Sequence, residues 1–90
     1  MSRKPLSIFI TGGSSGLGLA MSKHYLAQGH RVGACSIEAL DTIRASIPSE
    51  LDYYQVDVRD ATAIEKAIQS FAEKGLDRVI ANAGISMPKE

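Results

Sequence analysis

The 90-residue sequence lacks an excess charge of either sign, a second cysteine and any long apolar run. Ten acidic and ten basic side chains give zero formal net charge, which argues against nucleic acid or an anionic membrane surface as a partner. The single cysteine, Cys35, excludes an internal disulfide and favours a reducing compartment, so the expected location is cytoplasmic. The apolar runs are far shorter than the roughly 18 residues of a spanning helix. His24 and His30 lack the spacing of a metal site.

Strand-like and helix-like patterns alternate along the whole chain. The predicted strands are Ser7–Thr11, His30–Ser36, Asp52–Val56 and Arg78–Ala81. The predicted helices are Ser15–Gln28, Glu38–Ser46 and a third that begins after Asp60 and ends at Gly75. Such alternation predicts an α/β fold, a Rossmann-type doubly wound parallel sheet that is incomplete. Right-handed crossovers then predict the strand order 3-2-1-4.

The third helix has the clearest pattern in the sequence. Asp60 is a suitable N-cap residue, because its carboxylate can accept a hydrogen bond from an unpaired first-turn amide. Ile64, Ala67, Ile68 and Phe71 follow at the i, i+3, i+4, i+7 spacing of one helical face. We expect this face to pack on the sheet.

A glycine-rich turn, Thr11 to Gly18, joins the first strand to the first helix. First-turn amides of a helix lack internal partners and lie at the positive end of its dipole, so this position suits a phosphate. Gly12, Gly16 and Gly18 are spaced G-x-x-x-G-x-G rather than G-x-G-x-x-G. The turn either binds a pyrophosphate or is an ordinary strand-to-helix connection without a ligand.

Two further short motifs follow the third and fourth predicted strands. Asp57-Val58 comes just after the third, and Asn82-Ala83-Gly84 just after the fourth. Both therefore fall at the carboxyl ends of parallel strands, where ligands bind in open α/β sheets.

Together, the three motifs resemble the short-chain dehydrogenase/reductase family in order and interval, from about Leu6 to Ser86. The resemblance implies that residues 1–90 are the N-terminal part of one NAD(P)-binding domain. The parent would be an oxidoreductase that transfers hydride between nicotinamide and an alcohol or carbonyl substrate, and such family members are frequently dimers or tetramers. The implied cofactor-binding residues are Gly12, Ser14, Ser15, Gly16, Leu17, Gly18, Ser36, Asp57, Val58, Asn82, Ala83 and Gly84.

The resemblance also implies individual roles for these residues. The turn would cradle the pyrophosphate and the adjacent ribose. Asp57 would accept a hydrogen bond from the adenine amino group, and Val58 would offer a backbone N–H. Ala83 and Gly84 would line the cofactor cleft, while Asn82 would mainly tie the fourth strand to its neighbours. Two structural interpretations stay open: Asp57 as a turn aspartate bonded to its own backbone, and Asn82 as a left-handed turn residue.

The choice between NAD and NADP depends on the end of the second strand. Family members that use NAD commonly carry an aspartate where this chain has Ser36. A carboxylate there would repel a 2′-phosphate, whereas a neutral hydroxyl could donate to it. The absence of that acid favours NADP over NAD. Glu38 is expected to begin the second helix and point outward.

The family's catalytic Tyr-x-x-x-Lys pair is missing from the sequence. Its lysine would lower the pKa of the tyrosine so that the phenol could exchange a proton with the substrate. The residues four positions after Tyr25, Tyr53 and Tyr54 are Gly29, Asp57 and Val58. We therefore expect no catalytic residue in this chain and no turnover by it alone.

The fourth strand carries an apolar stretch, Val79-Ile80-Ala81, that would form a bare edge of the sheet. The simplest interpretation is a fragment or truncated reading frame of a longer enzyme, expected to be marginally stable or to self-associate along that edge. Two alternatives stay open: a non-catalytic nucleotide-sensing or interaction module, and a fragment that does not fold by itself.

Overall fold

A computed structural model of the chain describes residues 4–12, 16–57 and 59–82. The elements alternate as the sequence predicts. They are β1 (Ser7–Thr11), α1 (Gly16–Ala27), β2 (Arg31–Ser36), α2 (Leu40–Ile43), a 3-10 turn (Arg44–Ser46), β3 (Asp52–Gln55), α3 (Ala61–Ala72) and β4 (Arg78–Ala81).

The four described strands form one sheet of order β3-β2-β1-β4. Each neighbouring pair is parallel, which confirms the predicted fold class and strand order. The register places Thr11 beside both Cys35 and Ala81. The segments that leave β1, β2 and β4 therefore start side by side, at the carboxyl end of the sheet.

β1 is the centre of the core, and its side chains alternate between two apolar clusters. Ile8 and Ile10 pack with Val32, Ala34 and Leu51 on one face, where Met21, Tyr25 and Leu26 of α1 cover them. On the other face Phe9 packs with Cys35, Ala67 and Phe71. Both faces of the strand are buried, as a parallel sheet between helices requires.

α3 covers the second face in the orientation that its sequence predicts. The Asp60 carboxylate accepts a hydrogen bond from Ala63 N at 3.1 Å and caps the helix. Phe71 lies against Gly33 of β2, where an added Cβ would be 2.6 Å from the ring atom Cδ1. Gly33 therefore gives the ring the space to approach the sheet.

The region after β2 differs from the predicted helix over Glu38–Ser46. Helical structure begins only at Leu40, after an N-cap residue, Ala39, whose side chain makes no capping bond. One α-helical turn is followed by the 3-10 turn, and Ile47 is extended before Pro48, since proline disfavours helical geometry in the residue before it. Glu38 is exposed and precedes the helix rather than beginning it.

Cys35 is a small residue of the core. Its side chain is inaccessible to solvent, and this burial raises the pKa of the thiol. No cluster of potential metal ligands occurs among the residues that the structure describes. In that same part of the chain, no helix is long and apolar enough to cross a membrane.

Candidate functional site

Gly12, the first residue after β1, is held between the ends of β2 and β4. Its N–H donates to the carbonyl oxygen of Cys35 at 2.8 Å, and its own carbonyl accepts from Asn82 Nδ2 at 3.2 Å. Its φ of 72° lies in the left-handed region that glycine adopts without a Cβ clash. The start of the glycine-rich turn is thus fixed by the two flanking strands.

Gly18 lets α1 pack directly on that fixed backbone. A Cβ at this position would lie 2.2 Å from the carbonyl oxygen of Gly12 and 2.7 Å from Asn82 Nδ2. Both distances are far below van der Waals contact, so any side chain would push the helix away. The third glycine of the motif therefore sets the distance between the helix and the sheet.

Gly16 begins α1 and faces open space. Its φ is +55°, and among the described residues other than its chain neighbours no atom lies within 4 Å of an ideal Cβ built on it. The first turn of the described helix carries no acidic side chain, and the neighbouring Leu17 is 63% exposed. Among the described residues, no carboxylate in the first turn of α1 competes with an anion for the positive end of the helix dipole. A pyrophosphate fits these residues; Ser14 and Ser15 lie outside the described residues.

Asn82 connects β4 to the glycine-rich turn. Its side chain makes the hydrogen bond to Gly12 described above, and its backbone N–H donates to Ile80 O at 3.1 Å. The tie between the fourth strand and its neighbour that we expected of this asparagine is therefore present. Ala83 and Gly84, which would line the cleft, lie outside the described residues.

Asp57 follows β3 and is engaged by Arg59. Its Oδ1 accepts from the backbone N–H of Arg59 at 2.9 Å and from Nε at 3.1 Å. Its Oδ2 accepts from Nη2 at 2.9 Å. The side-chain hydrogen bonds from Arg59, followed by the backbone one, lower the pKa of Asp57 to about 2. This is the turn geometry that the sequence left open, and the carboxylate stays an ionised acceptor at neutral pH. Val58 lies outside the described residues.

Ser36 ends β2 and contacts a residue that the motif analysis missed. Its Oγ lies 2.5 Å from the Tyr53 hydroxyl and accepts from the backbone N–H of Glu38 at 3.3 Å. In the β2–β3 register, Ala34 pairs with Tyr53 and Ser36 with Gln55. Ser36 and Tyr53 are therefore diagonal neighbours on one face of the sheet. Only the strand pairing could have revealed this contact, because the two residues belong to different segments.

The comparisons with known proteins agree with this geometry. Residues 7–90 match the sequence profile of the short chain dehydrogenase family. The chain is 37% identical to 3-dehydrosphinganine reductase TSC10B of Arabidopsis thaliana; the match includes 92% of this chain and spans 26% of the reductase.

Two solved structures of similar fold contain a nicotinamide dinucleotide. WbmG of Bordetella bronchiseptica, in complex with NAD, is 28% identical to this chain, with a TM-score of 0.72. The match covers 94% of this chain and 27% of the WbmG chain. ElxO with NADP bound is 26% identical with a TM-score of 0.75, over 96% and 38% of the two chains. The family match covers nearly the whole sequence, and the sheet order and glycine-rich turn agree with it. The chain belongs to the short chain dehydrogenase family.

Proposed function

We propose that this chain binds NAD or NADP at the carboxyl end of its sheet, as the cofactor-binding portion of an oxidoreductase. The observation that carries the proposal is the packing of Gly18 on Gly12 and Asn82, which places the start of α1 against the glycine-rich turn at the carboxyl end of the sheet. Family membership and the dinucleotide complexes of WbmG and ElxO support it over a non-catalytic interaction module. When bound, the cofactor supplies the hydride chemistry, and the protein binds and orients it.

The proposed binding residues have distinct tasks. The glycine-rich turn and the start of α1 hold the pyrophosphate, Ser36 faces the adenosine ribose, and the motifs after β3 and β4 contact the adenine and line the cleft. Asp57 already accepts three hydrogen bonds from Arg59, so an adenine amino group would share the carboxylate with the guanidinium. The proposed set is Gly12, Ser14, Ser15, Gly16, Leu17, Gly18, Ser36, Asp57, Val58, Asn82, Ala83 and Gly84.

We further propose that NADP binds somewhat more tightly than NAD. β2 ends in the neutral residue Ser36, and no carboxylate occupies the position that would repel a 2′-phosphate. For the whole protein we propose an alcohol or carbonyl substrate, a homo-oligomeric state and a cytoplasmic location. Nucleic acid and membranes are not proposed as partners, because the charges of the chain balance.

The test is a titration of the purified chain with NADPH and NADH, followed by nucleotide fluorescence. In the Gly16→Val variant, isopropyl bulk would occupy the open space at the start of α1 and should abolish saturable binding. Gly29→Val is the matched control, because Gly29 also has a positive φ, +90°, and no contact within 4 Å of an ideal Cβ in the described part of the chain beyond its sequence neighbours. Valine at this position also strains the backbone, because of the positive φ. Gly29 follows the carboxyl end of α1, so this variant leaves the proposed site untouched.

Binding by the wild type and by Gly29→Val, with loss in Gly16→Val, would support the proposal. Circular dichroism should show that all three proteins are folded. A folded wild type that binds neither nucleotide would refute cofactor binding by this chain. Equal binding by the two valine variants would refute the position of the pyrophosphate.

A further inference from the structure

The carboxylate of Asp57 is held in one orientation by its neighbour Arg59. Its Oδ1 accepts from Arg59 Nε at 3.1 Å and from the Arg59 backbone N–H at 2.9 Å, and its Oδ2 accepts from Nη2 at 2.9 Å. The direction of all three bonds is fixed by chemistry, because a guanidinium and a backbone N–H can only donate and an ionised carboxylate can only accept. The two guanidinium bonds reach both carboxylate oxygens as a fork, which fixes the plane of the carboxylate.

The backbone that carries this carboxylate is attached to elements on both sides. The N–H of Val56 donates to the carbonyl oxygen of Ser36 at 2.8 Å, and the N–H of Asp60 donates to the carbonyl oxygen of Asp57 at 2.8 Å. The Asp60 carboxylate in turn caps α3 through Ala63 N at 3.1 Å. The sheet and the helix therefore fix the turn itself. What the guanidinium decides is the rotation of the Asp57 side chain, whose terminal torsion is otherwise broad.

A fixed, ionised carboxylate distinguishes two kinds of base edge. An amino group, as in adenine, donates a hydrogen bond to it, whereas a carbonyl at the same position, as in hypoxanthine, presents an acceptor to an acceptor. A carboxylate that rotates freely can turn away from the carbonyl, and it loses entropy when it is ordered by the amino group. The bonds from Arg59 also lower the pKa of Asp57 to about 2, so the carboxylate is ionised at neutral pH.

We propose that Arg59 is a positioning residue that gives the nucleotide site its preference for adenine by holding the carboxylate of Asp57. This inference rests on the proposed function, since it requires an adenine beside Asp57. A carboxylate offers about four acceptor positions, more than the three bonds from Arg59 use, so the pair can share it with an amino group. Arg59 needs no contact with the nucleotide itself.

The test compares the affinities of NADPH and of reduced nicotinamide hypoxanthine dinucleotide phosphate, which differ in the base alone. In the wild type we expect NADPH to bind at least about fivefold more tightly, in the range of one hydrogen bond to a charged group. Arg59→Ala keeps the backbone bond to Asp57 but removes the fork, and should lower this ratio about threefold, as expected for the release of one side chain. Arg59→Lys keeps the charge without the fork and should lower it at least about twofold.

The matched control is Arg44→Ala, which removes an exposed arginine from its pair with Asp41 and should leave the ratio unchanged. Asp57→Ala, alone and combined with Arg59→Ala, shows whether the effect passes through Asp57. Asp57→Ala alone should abolish the preference for adenine, and the added loss of Arg59 should not change the ratio further. A purely structural role of Arg59 would weaken both nucleotides equally and leave the ratio as in the wild type.

Each result decides the inference. The side chain of Arg59 is 83% exposed and that of Asp57 35%, and such pairs contribute little to stability, so we expect circular dichroism to show folded variants. An unchanged or higher ratio in the Arg59 variants overturns the inference, as does a further fall when Arg59→Ala is added to Asp57→Ala. Unfolding of both Arg59 variants also overturns it, because Arg59 would then be a structural residue.

Failure of this inference is distinguishable from failure of the proposed function. A wild type that binds both dinucleotides equally would overturn the inference and the adenine contact of Asp57, while the pyrophosphate site at the glycine-rich turn would stand. A folded wild type that binds neither dinucleotide would overturn the proposed function as well.

Discussion

The side-chain amide of Asn82 lies 2.7 Å from the position that a Cβ of Gly18 would occupy. The same amide donates to the carbonyl oxygen of Gly12. One asparagine thus contacts the turn after β1 and fills the space left by the absent side chain in α1. A helix, a turn and the end of β4 are brought together at the point where the proposed pyrophosphate site begins.

Replacement of Gly18 by alanine should destabilise the fold. The new methyl group would meet the carbonyl of Gly12 at 2.2 Å, and backbone atoms cannot move aside as a flexible side chain can. We expect a loss of about 2–3 kcal/mol in the free energy of unfolding, at the upper end of ordinary overpacking. Urea denaturation followed by circular dichroism measures it. Lys23→Ala, at an exposed position of the same helix, should be nearly neutral; equal stability of the two variants would contradict the packing role.

Removal of the Arg59 side chain should raise the pKa of Asp57. The wild-type carboxyl group has a pKa of about 2, chiefly because of the side-chain hydrogen bonds from Arg59. In Arg59→Ala it should move towards the ordinary value near 3.9. Because the pKa of Asp57 is lower in the folded than in the unfolded chain, its interaction with Arg59 stabilises the fold. This contribution is present above about pH 4 and is lost as the pH falls towards 2.

Carboxyl carbon NMR measures this pKa directly. Arg44→Ala is the control, since Arg44 pairs with Asp41 at 3.5 Å and is remote in sequence from Asp57. An Asp57 pKa that stays near 2 without the Arg59 side chain would show that the guanidinium is not its cause.

Arg31 should contribute to stability without affecting nucleotide binding. Its guanidinium lies 3.7 Å from the centre of the Phe71 ring and donates to the carbonyl oxygens of Phe71 at 2.7 Å and Gly75 at 3.2 Å. These bonds attach the end of α3 to the amino end of β2, opposite the proposed site. Arg31→Lys keeps the charge but loses the planar stacking and the forked donors.

The expected cost of Arg31→Lys is about 1–2 kcal/mol in the free energy of unfolding, from the lost hydrogen bonds and cation–π contact. NADPH affinity should stay within twofold of the wild type. Arg44→Lys serves as the exposed control. A large loss of affinity in folded Arg31→Lys would argue against placing the nucleotide only at the carboxyl end of the sheet.

The edge formed by β4 should promote self-association at high protein concentration. Among the described strands β4 pairs only with β1, and Val79 on it is 45% exposed. Val79→Lys adds a charge that opposes edge-to-edge pairing. Sedimentation velocity over a concentration series should show that the wild type associates and that Val79→Lys stays monomeric. A wild type that stays monomeric throughout would contradict this prediction.

The alternation of strands and helices, the strand order and the capped third helix could be predicted from local sequence. Such features follow from hydrophobic periodicity, from residues such as Asp60 that stop or start a helix, and from the handedness of crossovers. The predicted helix after β2 was too long, because no side chain caps it at Ala39 and because Pro48 makes the preceding residue extended. The positions of the proposed site residues come from the motifs and stay a prediction.

The partners of those residues could not be predicted in the same way. The motif analysis placed Ser36 at the ribose position but missed its contact with Tyr53, because that contact depends on the β2–β3 register. In the sequence alone, Gly33 weakens the pattern of the second predicted strand. The structure shows why a glycine fits there: the Phe71 ring occupies the space that a side chain at this position would need. The motif analysis did not predict the ion pair between Asp57 and Arg59, and the adenine contact of Asp57 stays a proposal beside it.

The sequence by itself therefore determined which elements form and where a nucleotide could bind, because periodicity, turn chemistry and glycine spacing act over short stretches of chain. The tertiary structure decided which atoms hold those residues in place. Close approaches such as Gly18 to Asn82 and hydrogen bonds such as Ser36 to Tyr53 arise only when distant segments pack together. Their distances depend on sheet register and helix position, which no local pattern specifies.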